Sequence, residues 1–455
     1  LTTRSDHEDS QHIPSSTSGT YGGSDYLWDG ALVYEGRVYD HIRYRARGGV
    51  WRYAMGKNMW KFDFNRGHRF AARDDQGKKY KAEWNKLNFS ALITQGNFGQ
   101  RGEQGLFEGA GFKNHNLAGT PAPLTNYAHF RIIESADENG TDQFNSDFQG
   151  LYMAIEQLDG QFTKQHDLPD GYLWKIEGNN NQNPPNNQGS YLESSLPNGD
   201  VDDFIAGYRN GSPTAQWWHD HLDLDSYYNF RASATWVHDY DIHAGKNYFF
   251  FHNPETDKWQ VVNWDLDLTW TTPYRSDPGG PLRDDVLAIP EFQLGYRNQV
   301  RHLQDLLHNS EQQGMLLDEI AHWVHTPGQP SLVDADRAMW DYNPILVSGL
   351  VNSSKAGHGR FYDAATTPPD SFPGMVAKLK SYVSGRESFM TSTYLNADEA
   401  NIPTRPTISY TGGAGFPTSE LSFTSSAFSG TGGATFTAQQ WRIAEVTLPE
   451  DPRFD

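Results

Sequence analysis

The sequence has no cysteine, which excludes disulfides, thiolate metal sites and cysteine nucleophiles and leaves the redox compartment open. No stretch approaches the ~18 consecutive apolar residues that a membrane-spanning helix needs. Positive charge is scarce: 37 Lys and Arg stand against 57 Asp and Glu, a formal charge of −20. That balance argues against nonspecific binding to nucleic acid or to anionic membranes. Residues 1–23 are polar and rich in Ser, Thr and His, without the basic and apolar pair of regions of a signal peptide. The numbering does not start at Met, so a removed signal is compatible with this. Strong acidity points to a secreted or salt-exposed bacterial protein, placed outside the cell or on its surface.

Aromatic residues are abundant, with 14 Trp, 23 Tyr and 25 Phe, although the chain as a whole is polar. With 455 residues the chain can bury a large core and form two or three domains. The 43 Gly and 24 Pro predict many turns and long loops rather than a helical bundle.

A polar segment, residues 1–24, precedes a β-rich half at about 25–178 and a helix-rich half at about 190–402. Strands are predicted at 31–34, 38–39, 42–45, 59–64, 127–133, 151–155 and 172–176. A Gly48-Gly49 turn and a basic connection carrying Arg47, Arg52 and Lys57 fall among them. Residues 101–119 look helical but are loaded with glycine, and within 108–116 Gly109, Gly111 and the asparagines each weaken a helix. An Asn/Pro/Gln-rich linker, 179–188, separates the halves. Helices are predicted at 226–237, with Asp223 and Asp225 as N-cap candidates, and at 292–307, 315–324 and 375–383. From 403 to 455 short strands at 407–410, 421–423, 434–436 and 441–446 suggest a β-sandwich. About 50 residues are fewer than the ~100 such a domain needs, so the segment reads as part of a truncated or shared domain.

The chemistry concentrates between Tyr240-Asp241-Ile242-His243-Ala244-Gly245-Lys246-Asn247-Tyr248 and Asn263-Trp264-Asp265-Leu266-Asp267. Aromatic and β-branched residues on both sides of Asn253-Pro254-Glu255-Thr256-Asp257-Lys258 predict an antiparallel hairpin. Its open end would bring Asp241, Asn247 and Asp265 together. Two carboxylates and an amide oxygen form a hard-oxygen site suited to Mg²⁺ or Mn²⁺ carrying phosphates. Protein kinases use the same order of a catalytic Asp, a metal-binding Asn, a short hairpin and a second metal-binding Asp. The plainer readings are a capped turn or a structural Ca²⁺ site for Asp265 and Asp267, and a helix cap for Asp200, Asp202 and Asp203. His219-Asp220-His221 has metal-ligand spacing but no further ligands.

These residues strongly resemble the spore coat protein H (CotH) kinases, atypical bacterial protein kinases with a reduced kinase-like fold. The resemblance covers roughly residues 25–400 and includes Gly56-Lys57-Asn58-Met59-Trp60-Lys61-Phe62, Pro121-Ala122-Pro123 and Gly150-Leu151-Tyr152-Met153-Ala154-Ile155-Glu156-Gln157. It implies an α+β, two-lobed, kinase-like fold. It implies that Asp241 orients or deprotonates the acceptor hydroxyl, while Asp265 and Asn247, joined by Asp267, hold the metal. Lys57 and Lys61, four apart and on one face if extended, would reach the ATP phosphates, with Glu108 as the ion-pair partner and Glu156 near the adenine and ribose. ATP and Mg²⁺ or Mn²⁺ are then the cofactors, and the partner is a protein bearing Ser or Thr. The alternatives are an idle kinase fold serving as a surface, matrix or filament subunit, with self-assembly through the C-terminal β-rich segment, and a metal-dependent phosphohydrolase.

Overall fold

The computed structural model describes residues 27–47, 57, 59–92, 104–133, 147–176, 189–191, 200–244, 246–270, 276–340, 371–396, 403–404, 406–430, 435–439 and 441. The N-terminal polar segment, the Gly48-Gly49 turn, Arg52 and the linker at 179–188 lie outside them. The chain divides into two compact units, Leu1–Met390 and Thr391–Asp455.

The first unit opens with strands β1 (Trp28–Tyr34), β2 (Arg37–Arg47), β3 (Met59–Asp63) and β4 (Lys86–Ser90). Helix α1 (Leu106–Leu117), β5 (Thr125–Arg131) and β6 (Phe148–Glu156) follow. The six strands form one antiparallel sheet in the order β1-β2-β3-β4-β6-β5. Period-two alternation sorts its faces: Trp60 and Phe62 of β3 are buried, whereas Met59, Lys61 and Asp63 are half-buried on the opposite side. The buried face collects an aromatic core including Tyr39, Tyr44, Phe70, Trp84 and Phe89. Edge-on ring pairs such as Phe62 with Phe89 (5.4 Å) and Phe89 with Phe130 (5.3 Å) fix its packing.

After α2 (Gly160–Gln165), β7 (Tyr172–Ile176) begins a second sheet. It continues through β8 (Gly189–Tyr191), β9 (Tyr248–Asn253) and β10 (Lys258–Asn263) in the order β10-β9-β7-β8. The strand at 172–176, expected to end the β-rich half, thus pairs with the hairpin instead. Its sequence YLWKI is buried on both faces apart from Lys175, which suits an interior strand and gives no local clue to the partner. Between β8 and β9 stand α3 (Asp200–Asn210), α4 (Ala215–His221) and α5 (Leu224–Val237). Asp223 caps α5, accepting the Ser226 N–H, while Asp225 sits in its first turn, and His238 ends the helix in the left-handed conformation. The helices α6 (Arg283–Val286), α7 (Pro290–Leu306), α8 (Ser310–His322), α9 (Leu332–Trp340) and α10 (Phe372–Met390) complete the unit.

Helix α1 is buried nearly all round and packs against α5, α8, β5 and the 3-10 turn Leu266–Leu268. Lys113 pins it from outside, bonding Asp75 at 2.6 Å and Glu319 of α8 at 3.1 Å. Inside, Asn114 and Gln313 exchange two amide hydrogen bonds of 3.0 and 2.8 Å. The architecture is α+β.

In the second unit β11 (Ile408–Tyr410) pairs antiparallel with β12 (Phe423–Ser425). Tyr410 gathers Phe416 and Phe423 beside it. The strand expected at 434–436 does not form at Thr435 and Phe436; Phe436 is exposed and packs on Phe428 instead of entering a ladder. Residues 442–446 lie outside the described residues.

Candidate active site

The hairpin turn is set by Asn253, whose side chain accepts the N–H groups of Glu255 and Thr256 at 2.9 and 3.3 Å. Register then runs from Lys258 opposite Asn253 to Asn263 opposite Tyr248. One residue further, the Trp264 N–H donates to the Asn247 carbonyl at 3.1 Å, which carries the pairing into the site. Two more backbone bonds tie the preceding loop to the same place: Trp270 N–H to Val237 O at 2.7 Å, and Tyr240 N–H to Leu268 O at 3.3 Å. Asp241, Asn247 and Asp265 therefore meet at the open end. Asn247 (φ 66°) and Asp265 (φ 62°) both occupy the left-handed region, which Asn and Asp tolerate better than most residues. Such backbone clusters where a site needs a side chain aimed off the regular path.

The Asn247 amide donates to Asp241 Oδ2 at 2.9 Å, and Lys246 Nζ reaches the same oxygen at 2.9 Å. Burial raises the Asp265 pKa; Asp241 adds to the rise, while Arg47, Lys175 and Lys246 oppose it. Asp239, fully buried, is raised well above the usual carboxylate range by burial, with Asp241 and Asp265 adding to the effect. Glu108 of α1 is pushed up to about 7 by burial and then by Asp265, against the pull of Arg47 and a hydrogen bond from Ser90. For Lys246, burial works against its charge, yet Asp241, Asp265 and Asp267 together raise its pKa. Asp265 is thus the common neighbour of Asp239, Asp241 and Glu108, and Arg47, Lys175 and Lys246 face it as cations.

The donor chemistry fits a hard divalent cation. Asp241, Asp265 and Asn247 offer oxygens, and crowded carboxylates are relieved when a dication enters. Among the described residues no three carboxylate or histidine groups already stand at metal-binding geometry. Mg²⁺ commonly takes one or two carboxylates and completes its shell with phosphate oxygens and water.

Among the other sequence candidates Glu108 joins the site, while Lys57, Lys61 and Glu156 are bonded to partners elsewhere. Lys57 precedes β3 and is buried, bonding Asp336 of α9 at 2.7 Å and the Leu151 carbonyl, with its ammonium 4.4 Å from the Tyr152 ring centroid. Glu108 faces Arg47 and Asp265. Glu156 is buried against His166 (3.0 Å) and accepts the Leu124 N–H (3.1 Å). Lys61 lies on the polar face of the first sheet and donates to Gln157 at 3.0 Å. Burial lowers its pKa to about 8, with Lys86 and Arg45 adding to the fall. His219 meets Glu291, and His221 stacks on Trp217. Asp200, Asp202 and Asp203 occupy the first turn of α3.

Two site residues escaped the sequence reading, Asp239 and the inward role of Arg47. A signal for the second was present: Arg43, Arg45 and Arg47 alternate along β2, so period two puts all three on one face. Asp239 stands two residues before Asp241 with nothing in its spacing to set it apart.

The profile of the CotH kinase protein family matches residues 45–315. Inner spore coat protein H of Bacillus subtilis (strain 168) is similar to this chain, 24% identical over 209 residues. That match covers 42% of this chain and 56% of the relative, so the chain spans little more than half of the relative's length. The profile takes in the end of β2, both arms of the hairpin and every residue that converges at its open end. More than half of the chain being matched in this way, the protein belongs to the CotH kinase family.

Proposed function

We propose that the protein transfers the γ-phosphate of ATP to Ser or Thr hydroxyls of a secreted, surface or coat-type protein, within a kinase-like two-lobed arrangement. The observation that carries this reading is the convergence of Asp241, Asn247 and Asp265 at the open end of one hairpin. Family membership and the spore coat relative support it. Asp241 orients the acceptor hydroxyl and accepts its proton as the oxygen bonds to the γ-phosphorus and ADP leaves. Lys246 and the Asn247 amide hold the Asp241 carboxylate in place. Asp265 and Asn247, with Asp267 beside them, hold Mg²⁺ or Mn²⁺, whose charge supplies neutralisation of the phosphates. Lys61 serves the phosphates from the polar face of the first sheet, and Lys57 supports that sheet through Asp336.

Calorimetry with ATP plus Mn²⁺, and again with chelator, tests the assignment. Binding should vanish with chelator, because bare carboxylates repel the phosphates; equal binding in both removes the metal site. Asp241→Asn should retain ATP affinity and lose labelled phosphate transfer to a Ser-rich acceptor, whereas Asp265→Asn should lose binding itself. A second reading, a catalytically idle coat or surface subunit, is favoured by the burial of Lys57 against Asp336 and by the relative's name. Binding of metal-ATP without any transfer would select it.

A further inference from the structure

Strand β2 pairs with β3 so that Arg45 lies opposite Lys61 and Arg47 opposite Met59. Arg47 is the residue of this basic face that reaches the acidic site. Its guanidinium stands 5.5 Å from the Trp264 ring centroid. Trp264 is packed in place: it is 8% exposed, edge-on to Phe249 at 6.1 Å and beside Phe112 at 6.5 Å, and its backbone N–H donates to the Asn247 carbonyl. The chain turns directly from this ring into Asp265.

A guanidinium carries five N–H donors, and burying them unmatched is costly. Among the described residues Arg47 makes no ion pair; its side-chain bond is a weak one of 3.8 Å to the Met59 sulfur. Glu108 and Asp265 both feel its charge, yet neither closes on it. A half-buried cation is thus held on an aromatic platform, facing carboxylates it does not touch. That arrangement suits an anion which enters with its own dication, the dication going to the carboxylates and the anion to the arginine.

We infer that Arg47 is a phosphate-binding residue, its planar fork gripping the β- or γ-phosphate of a metal-bound nucleoside triphosphate above Asp265. The inference rests on the phosphoryl-transfer reading and extends it to a residue on β2. Lysine at this position would keep the charge and lose the bidentate geometry.

The test is calorimetry on the full chain with ATP·Mn²⁺, and with adenosine as a probe that has no phosphate. Arg47→Gln should weaken ATP·Mn²⁺ about 10- to 100-fold, the usual cost of a charge-assisted hydrogen bond, and leave adenosine unchanged. Arg47→Lys should recover part of the loss, and it serves as the working variant if the glutamine chain does not fold. Arg47→Gln or Arg47→Lys binding ATP·Mn²⁺ as tightly as the wild type overturns the inference alone. Equal losses for ATP·Mn²⁺ and adenosine overturn it as well, by showing a structural role. A wild-type chain that takes up no ATP·Mn²⁺ overturns the phosphoryl-transfer reading together with it.

Discussion

Glu108 shows how a single side chain can bring the chemistry of the site into the stability of the fold. The residue is 6% exposed, and burial together with Asp265 raises its pKa from 4.5 to about 7. A carboxyl raised in the folded state binds its proton more tightly there than in the unfolded chain. Folding is therefore unpenalised below pH 4.5, and the penalty grows as pH rises through the interval up to about 7. The shift corresponds to about 3 kcal/mol at most. Denaturant unfolding of the metal-free chain should show stability falling between pH 4.5 and about pH 7, with Glu108→Gln flattening part of that slope. A slope identical in the variant would mean that Glu108 ionises in the fold as freely as in water. At this scale the sequence was legible where partners are close along the chain. Asp241, Asn247 and Asp265 are joined by one hairpin, and a turn-plus-strand pattern was enough to bring them together. Lys57 was not legible in this way, because its partner Asp336 lies 279 residues away and no local pattern points to it.

Helix α1 is the element on which sequence and packing pull in opposite directions. Gly109 and Gly111 weaken it by propensity, each by about 1 kcal/mol relative to Ala. Packing gives the reason for Gly111: a Cβ there would stand 2.7 Å from Leu266 Cδ1 and 3.4 Å from Leu266 Cβ, directly beside Asp265. The bare backbone lets α1 approach the 3-10 turn that follows Asp265 and contains Asp267, a close approach that propensity alone cannot reveal. Gly314 of α8 is the contrast, with nothing within 4 Å of an added Cβ. The same substitution should therefore have opposite signs. Gly314→Ala should stabilise by about 0.5–1 kcal/mol through helix propensity. Gly111→Ala should destabilise by about 1–2 kcal/mol through overpacking and should weaken ATP·Mn²⁺ binding by displacing Asp265. Thermal and denaturant unfolding of both variants reads this out, and two stabilised proteins would show that α1 has room to spare. The sequence marks the start of α3 through its acidic first turn but not its extent, and it does not mark α4: an interior Gly207 and the short span of α4 dilute the periodic signal.

Across the whole molecule, the candidate site draws its residues from β2, α1, the loop after α5 and the exit of β10, all within Leu1–Met390. No proposed ligand lies in the second unit. There the described residues contain one two-stranded pairing, and a lone hairpin is only marginally stable in water. Ile408 is 63% exposed, Phe416 59% and Phe436 58%, so this unit leaves large apolar groups in solvent next to open strand edges. Exposed edges with apolar side chains invite pairing with another strand, from a second copy or from another protein. Deleting residues 404–455 should accordingly leave ATP·Mn²⁺ affinity and the unfolding of the first unit unchanged, while altering association state or solubility. Calorimetry and sedimentation on the shortened chain measure the two halves of that expectation separately. Loss of nucleotide binding in a chain that is still folded would show that the second unit helps to form the site, and an unaltered association state would remove its role as a docking edge.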